Sequence, residues 1–229
     1  MKHCVIQAAA ALLLTSGIAL AQPADDGKRF IDVTVGMGID MQSAISLANY
    51  INQMAQPRQD ERLYDYSSAV EFFAVPEVQV AREWSVGLEY AMLIKSYSID
   101  DRSGYSRSDF SFNVHMPTVL VHWLLLGDGY RVKLGGGAGY HLASLSQSFL
   151  ATGGQETVTA EGFGLKLDAV GNTKFDDTMY GSIALDLRLD RIGTFKHAAN
   201  ATAASASIGL PTMNFFSAGL KFGITFQLN

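Results

Sequence analysis

The sequence has 229 residues, 48% of them hydrophobic, and a formal net charge of −5 at pH 7. A chain of this length suits a single domain, and its mildly acidic balance argues against a nucleic-acid-binding protein. Its one cysteine, Cys4, has no partner for an internal disulfide and gives no cysteine-based metal site.

The N-terminal segment has the three parts of a bacterial secretory signal peptide. Lys2 gives it a positive start, Val5–Leu20 is mostly apolar, and small residues precede a cleavage position after Ala21. The alternative is an N-terminal membrane anchor, but this apolar stretch is short for a spanning helix. We therefore predict a signal peptide over residues 1–21 and a mature domain over residues 22–229.

Beyond this segment, no apolar run approaches the roughly 18 residues that a spanning helix needs. Instead, eight segments alternate apolar and polar side chains, which is the side-chain period of a β-strand. In the fourth segment the apolar phase shifts by one residue between Met116 and Val119, which predicts a β-bulge at Pro117. The eight predicted strands cover residues 30–40, 69–81, 84–97, 107–125, 130–144, 158–171, 179–191 and 216–228.

One face of these strands is almost uniformly apolar, and the other is polar and charged. This pattern over roughly 9–11 residues is typical of a transmembrane β-barrel whose apolar face meets lipid. An eight-stranded lumen is narrow enough for side chains to fill, so the charges predict a salt-bridge network. An acid–base pair of Asp168 and Asp186 is the alternative. The predicted lumen charges are Glu89, Lys95, Arg131, Lys133, Lys166, Asp168, Asp186 and Arg188.

The predicted connections alternate between longer and shorter ones, as in barrels with long extracellular loops and short periplasmic turns. The first long loop carries apolar residues at helical spacing, which predicts one short helix over Met41–Met54. This helix would cap the barrel mouth, lie at the membrane surface, or act as a lid or adhesive contact. Its predicted apolar positions are Ile45, Ala48, Ile51 and Met54, and the longer connections are residues 41–68, 99–106, 147–157 and 192–212.

Large aromatic residues beside the short turns predict an aromatic girdle at one membrane interface. Trp84, Trp123, Tyr130 and Phe226 all fall on the apolar face near the predicted periplasmic end. Because lipid offers no hydrogen-bond partners to an open sheet edge, we expect the last strand to pair with the first and close the barrel. The predicted fold is therefore an all-β, eight-stranded antiparallel up-and-down transmembrane barrel with one short helix in its first extracellular loop.

Motifs that would indicate catalysis or cofactor binding are weak. The run Gly135–Gly139 lies inside a strand and precedes no helix, which argues against a phosphate-binding loop. His115 and His141 are both placed toward the lumen, but a zinc site needs a third ligand. His141 and Ser144 fall on opposite strand faces without an evident acid partner, so we expect neither an enzyme nor a cofactor.

The chain resembles the family of small, eight-stranded outer-membrane β-barrel proteins of Gram-negative-type bacteria. The likeness covers nearly all of residues 22–229 and rests on the signal peptide, the alternation, the Gly135–Gly139 run and the aromatic alternation of the last strand. It implies a location in the outer membrane, contact with outer-membrane lipid, and insertion by the barrel-assembly machinery. That machinery reads a terminal strand that usually ends in an aromatic residue, whereas here Phe226 lies three positions before Asn229.

Three functions remain open on this basis. The first is a non-enzymatic structural or surface-interaction barrel with a largely plugged, charge-networked lumen and an unidentified extracellular ligand. The second is a small pore, or a carrier for small hydrophobic molecules that pass through the barrel or a gap in its wall. The third is a lipid-modifying enzyme, which would need the catalytic set that the sequence does not provide.

Overall fold

The computed structural model describes residues 29–64, 66–100, 107–149, 154–197 and 209–228, and the predicted signal peptide lies outside them. Nine strands and one helix are present in this part of the chain. The strands are β1 (Ile31–Ser43), β2 (Tyr66–Ala81), β3 (Trp84–Asp100), β4 (Arg107–Gly127), β5 (Tyr130–Phe149), β6 (Gly154–Asp176), β7 (Met179–Thr194), β8 (Lys196–His197) and β9 (Thr212–Leu228), and the helix is α1 (Ile45–Ala55).

Eight of these strands form one closed antiparallel ring. From β1 to β7 each strand pairs with the next along the chain, and β9 pairs with both β7 and β1. The closing seam runs from Ile31 opposite Leu228 to Ser43 opposite Phe216. The short β8 lies outside the ring and pairs with β6. The predicted eight-stranded up-and-down barrel is thus confirmed, and its last strand closes on its first.

The two ends of the barrel differ in their connections. At one end, which we call the turn end, hairpins are joined only by residues 82–83, 128–129 and 177–178. The other end, which we call the helix end, carries the longer connections, and the first of them contains α1. The predicted alternation of longer and shorter connections is therefore present. The predicted helix is present too, but it begins at Ile45 instead of Met41 because β1 continues to Ser43.

One predicted loop is mostly strand. The sequence predicted a long connection over Gln147–Thr157, but β5 continues to Phe149 and β6 begins at Gly154. Leu145 and Val158 lie opposite each other in this hairpin, and both side chains are completely buried in the barrel interior. The polar residues of this segment suggested a loop. They are polar because, toward the helix end, the outer face of the sheet is polar and the inner face is apolar.

Over most of the barrel wall, apolar side chains point outward and polar side chains point inward. Leu167 and Leu185 are 67% and 61% exposed, whereas Asp32 and Glu71 on the inner face are completely buried. A soluble protein buries its apolar face, so this inside-out distribution is the arrangement expected for a wall in contact with lipid. The outward apolar belt includes Ile39, Leu125, Phe163, Leu167, Leu185 and Phe222.

This polarity reverses toward the helix end of β4, β5 and β6. On β4, Phe110, Phe112 and Met116 are buried inside, while Ser111 faces outward among polar neighbours on β5 and β6. The predicted bulge at Pro117 is therefore wrong, because β4 keeps one unbroken register with β3 from Trp123 to Arg107. The apolar phase shifts because the strand leaves an apolar exterior and enters an apolar interior, with no extra residue inserted.

An apolar cluster fills the interior at the helix end, and α1 packs on it. Leu47, Tyr50, Ile51 and Ala55 are the buried residues of α1, so the buried face is rotated from the predicted one, and Ile45 is exposed. Burial raises the pKa of the Tyr50 phenol, whose hydroxyl donates a hydrogen bond to Gln147 Oε1 at 3.0 Å. The helix thus caps the barrel mouth from within. The cluster beneath it includes Phe110, Phe112, Val114, Met116, Leu145, Val158, Phe195 and Phe215.

The chain after α1 folds back onto the helix. Gln56 ends the helix in the left-handed conformation, with φ at 47°. The Asn52 amide then donates to the Leu63 carbonyl and accepts from the Leu63 N–H, both at 2.9 Å. Among the described residues, no helix combines the length and hydropathy that crossing a membrane requires.

Candidate functional site

The barrel lumen holds a continuous set of ion pairs to which all eight ring strands contribute. We call this set the lumen ion network. Every member is buried, and the side chains reach one another across the barrel axis as well as along its wall. Its members are Asp32 (β1), Glu71 and Glu77 (β2), Glu89 (β3), His122 (β4), Arg131 and Lys133 (β5), Lys166 and Asp168 (β6), Asp186 and Arg188 (β7), and Lys221 (β9).

Arg188 is at the centre of this network. Its Nη2 lies 2.5 Å from Glu89 Oε1 and 3.1 Å from Glu71 Oε1, and its Nε lies 2.9 Å from Asp186 Oδ2. Lys221 contacts the same Glu71 oxygen and lies 3.1 Å from Asp186 Oδ2. Because Glu71 and Glu89 belong to β2 and β3, the guanidinium from β7 bridges the lumen.

His122 joins this central group to the charges nearer the turn end. Its Nε2 lies 3.0 Å from Asp168 Oδ1, and its Nδ1 lies 2.9 Å from Glu77 Oε1. A carboxylate only accepts hydrogen bonds, so both ring nitrogens must donate, and the geometry fits the charged imidazolium. Lys166 completes the link, because its Nζ lies 2.9 Å from Asp168 and 2.5 Å from Glu89.

The turn end of the network is built on Asp32. Arg131 Nη1 lies 3.0 Å from Asp32 Oδ2, and Lys133 Nζ reaches the same oxygen at 3.5 Å and Glu77 at 2.5 Å. The Arg131 guanidinium also lies over the rings of Tyr180 and Phe30, at 3.9 and 4.5 Å from their centroids. These contacts lie close to the turn end, since Arg131 and Tyr180 are the second residues of β5 and β7.

The structure brings together seven of the eight charges that the sequence indicated for the lumen: Glu89, Arg131, Lys133, Lys166, Asp168, Asp186 and Arg188. The eighth, Lys95, is only half-buried nearer the helix end, with its Nζ 5.2 Å from the ring centroid of Tyr97. Sequence reasoning missed Asp32, Glu71, Glu77, His122 and Lys221 as members. The polar parity of β1, β2 and β9 was the signal that could have found four of them, but His122 lies between Leu120 and Leu124 on the inner face of β4, where no polar parity marks it.

The aromatic residues chosen for a girdle lie on the outside of the barrel near the turn end. Trp84 and Trp123 face each other directly across β3 and β4. Tyr130 begins β5 beside a short turn, and Phe226 lies opposite Met179 at the beginning of β7. All four are between 38% and 53% exposed, so their rings project outward from the wall.

His141 has an acid partner that the sequence did not reveal. Its Nδ1 contacts Asp190 Oδ1 on β7, and its Nε2 lies 3.2 Å from Thr118 Oγ1 on β4. The order hydroxyl, imidazole, carboxylate resembles a catalytic triad, but all three side chains are buried in the lumen. His115 faces outward, contrary to expectation, where its Nδ1 lies 2.7 Å from the Tyr90 hydroxyl.

An open cleft lies at the helix end, between α1 and the beginning of β9. Its volume is about 590 Å³, which is within the usual range for small-molecule sites. Six of its ten described lining residues carry a hydroxyl or amide side chain, and none of these ten is charged. These residues are Ser43, Ile45, Ser46, Asn49, Tyr50, Gln53, Gly209, Leu210, Pro211 and Asn214.

A second cavity, of about 540 Å³, lies at the β6–β7 seam where the outward polarity changes. The two strands pair up to Phe163 opposite Arg191, and β6 then continues with β8 from Thr159 opposite Lys196. Outward-facing side chains such as Glu161 line this cavity together with inward-facing ones such as Ile192. The direct pairing of β6 with β7 therefore ends at this cavity, and the wall is irregular here.

A closed eight-stranded antiparallel ring with an apolar outer belt and a charged interior defines the class of protein. The chain is a transmembrane β-barrel with the fold of the small outer-membrane barrel proteins. Hydrogen bonds between neighbouring strands satisfy the backbone around the whole circumference, as a lipid environment requires.

Solved structures with this fold support that assignment. Neisserial surface protein A (NspA) matches with a TM-score of 0.53 at 11% identity, over 88% of this chain and 100% of that one. Ail, the attachment invasion locus protein of Yersinia pestis, matches over the same shares in complex with the heparin analogue sucrose octasulfate, with a TM-score of 0.52 at 7% identity. At these identities the likeness establishes the fold alone. No family model and no curated protein sequence matches the chain.

Proposed function

We propose that this chain is an integral barrel of a bacterial outer membrane, with a closed lumen and a non-enzymatic role in surface contact at its helix end. We assign the helix end to the extracellular side, because longer connections face outward in such barrels. The observation that carries the proposal is the bridging of the lumen by Arg188, which joins β7 to Glu71 and Glu89 on the other side.

Two further layers support a closed lumen. Above the lumen ion network, the apolar cluster of Phe110, Phe112 and Met116 occupies the interior, and all three side chains are at most 1% exposed. Above that cluster, α1 packs its buried residues on the barrel from within. A solute moving along the axis would have to displace an ion network, an apolar plug and a helix in turn.

The first test is solute flux. Liposomes carrying the refolded mature barrel are expected to release small sugars and ions no faster than empty liposomes, with folding confirmed by faster gel migration of the unboiled sample. Lys166→Met removes one lumen charge but keeps an unbranched side chain, and it should leave the flux at baseline because the apolar plug remains. Flux above that of empty liposomes from folded protein would reject the closed lumen.

We place the surface contact in the open cleft at the helix end, between α1 and the beginning of β9. Its hydroxyl and amide groups can donate and accept hydrogen bonds, and Ser46 is held in place by the backbone N–H of Thr212, which donates to its Oγ at 3.0 Å. Ail has been solved with a sulfated sugar analogue. The absence of lysine and arginine from this lining favours instead an uncharged, hydroxyl-rich ligand such as a neutral oligosaccharide.

We expect a neutral oligosaccharide, for example maltoheptaose, to bind the refolded barrel more tightly than sucrose octasulfate does. Asn49→Ala should weaken this binding about 3- to 10-fold, the usual effect of losing one hydrogen bond. Asn113→Ala, on the outer face of β4, is the matched control and should change nothing. Calorimetric titration measures both, and equal loss in the two variants, or preference for the sulfated sugar, would contradict the assignment.

The second candidate is a lateral carrier, favoured by the irregular wall at the β6–β7 seam. Glu161 and Gly193 each lie two residues beyond Phe163 and Arg191, the last pair that β6 and β7 form at this end. A disulfide between Glu161→Cys and Gly193→Cys would clamp the seam. A carrier would lose the transport of small hydrophobic solutes when the disulfide forms and regain it on reduction, whereas the closed barrel would show no transport in either state.

A further inference from the structure

Three carboxylates converge in the lumen on one side of Arg188. Asp40 on β1 lies opposite Gly219 on β9, and Gly219 lies opposite Asp186 on β7. Glu71 approaches from β2, the other neighbour of β1. One oxygen from each of the three acids lies within 4.8 Å of the others, and all three residues are buried.

The cations nearby are fully engaged on other oxygens of this group. Lys221 and Arg188 contact Glu71 through Oε1 and Asp186 through Oδ2. The opposite oxygens, Glu71 Oε2 and Asp186 Oδ1, have no hydrogen-bond partner among the described residues, and neither oxygen of Asp40 has one. Asp40 is completely buried. Four acceptor oxygens in the lumen are therefore left without a donor.

Because Gly219 has no side chain, it leaves an open space between two of these oxygens, one from Asp40 and one from Asp186. A Cβ added at Gly219 would overlap both Asp186 Oδ1 and Asp40 Oδ1. The two free oxygens therefore lie on either side of Gly219, which has no side chain to separate them. With any other residue at 219, the side chain would occupy the gap between the carboxylates.

The formal charges of Asp40 and the lumen ion network do not balance. Asp40 and the six acids of the lumen ion network make seven carboxylates, against five lysine and arginine side chains and the imidazolium of His122. One negative charge is left over, and Asp40 is the acid without an ion pair. An ionised carboxylate buried without a partner is very costly, so Asp40 must either take up a proton or be neutralised by a bound cation.

We propose that Asp40, Glu71 and Asp186 bind one hard metal cation beside Gly219. Carboxylate oxygens are the ligands that Ca²⁺ and Mg²⁺ prefer, and Na⁺ is a hard cation of the same kind. An ion between Asp40 Oδ1 and Asp186 Oδ1 would take the free oxygens, while Lys221 and Arg188 keep the oxygens they already contact. The cation would join β1, β2 and β7 across the closing strand β9.

The test compares barrels refolded with and without metal. Wild-type protein refolded in a chelator with N-methylglucamine chloride is expected to unfold at least about 5 °C lower than protein refolded with its cation, because a ligand that binds only the folded state stabilises it. Separate arms with CaCl₂, MgCl₂ and NaCl at equal ionic strength identify which ion acts. For a divalent ion, elemental analysis of the gel-filtered barrel should find about one equivalent.

Two variants separate a bound metal from other effects. Asp40→Asn removes the unpaired charge, and Gly219→Ala keeps every carboxylate but fills the space, so both should lose the response to metal. Asp109→Asn removes an exposed carboxylate on the outer face and should keep it. A wild type that responds to none of the three salts and carries no metal would overturn the proposal and place a proton on Asp40. A full response in Asp40→Asn would also overturn it, because the metal would then bind elsewhere.

Discussion

Arg188→Met is expected to lower the free energy of unfolding by about 3–5 kcal/mol, because removing one partner of a buried ion pair leaves the other charge uncompensated. Arg188 contacts Glu71, Glu89 and Asp186, all of them buried. Methionine keeps much of the side-chain volume, so the loss would report charge more than cavity. Urea unfolding of the refolded barrel in lipid vesicles, followed by the fluorescence of the two outward tryptophans, measures it.

Two further variants show whether the effect belongs to the network. Arg188→Met combined with Glu89→Gln removes one charge of each sign, and we expect it to recover part of the lost stability, because neighbouring effects are not additive. Lys174→Met breaks an exposed pair with Asp177 in the last short turn and should leave the unfolding midpoint unchanged. If Arg188→Met were as stable as wild type, the buried pairs would not be formed in the folded barrel.

Leu185→Arg is expected to destabilise the barrel by about 2–4 kcal/mol, the usual effect of an arginine facing lipid near the bilayer midplane. Leu185 is 61% exposed and lies midway along the outer face of β7, so an arginine fits there without a clash. Water would solvate that guanidinium at almost no cost, but hydrocarbon cannot. Urea unfolding of the refolded barrel in lipid vesicles, as for Arg188→Met, measures this loss of stability.

Thr157→Arg is the matched control for this substitution. Thr157 also faces outward, but it lies on β6 toward the helix end, where the exterior is polar and its hydroxyl lies 3.0 Å from that of Ser146. We expect a change of less than about 0.5 kcal/mol, as for ordinary surface sites. Equal effects at the two positions would mean that the apolar belt is not in contact with lipid.

Local pattern was enough to predict the ring, because period-2 alternation assigns each residue to one face of the wall. The alternation at Lys221, Phe222 and Gly223 predicted the closing strand, which the structure pairs with β1 and β7. The same parity placed Arg188 and Asp186 inside. The ends of the strands were harder to predict, because β5 and β6 continue beyond the apolar belt into a region where the outer face is polar and the inner face is apolar.

The contacts within the lumen could not be predicted in this way. His141 meets Asp190, 49 residues later, on a strand that is not its neighbour, and no spacing in the sequence reports that pairing. The error at Pro117 has a related cause. Alternation reveals the polarity of two faces, but it does not reveal whether lipid, water or other side chains lie beside each of them.

The reversal of polarity in β4, β5 and β6 has a consequence for how a partner would approach. If the apolar belt ends near the level of Leu142, β5 continues from there to Phe149. At about 3.3 Å per residue and a tilt of about 40°, that length lifts this side of the rim roughly 18 Å above the hydrocarbon. The cleft beside α1 is on the other side of the ring, and its Ser43 lies only two residues beyond the outward-facing Met41 of β1. A partner would therefore reach the cleft from the lower β1–β9 side of the rim, with the taller β4–β6 wall standing opposite it.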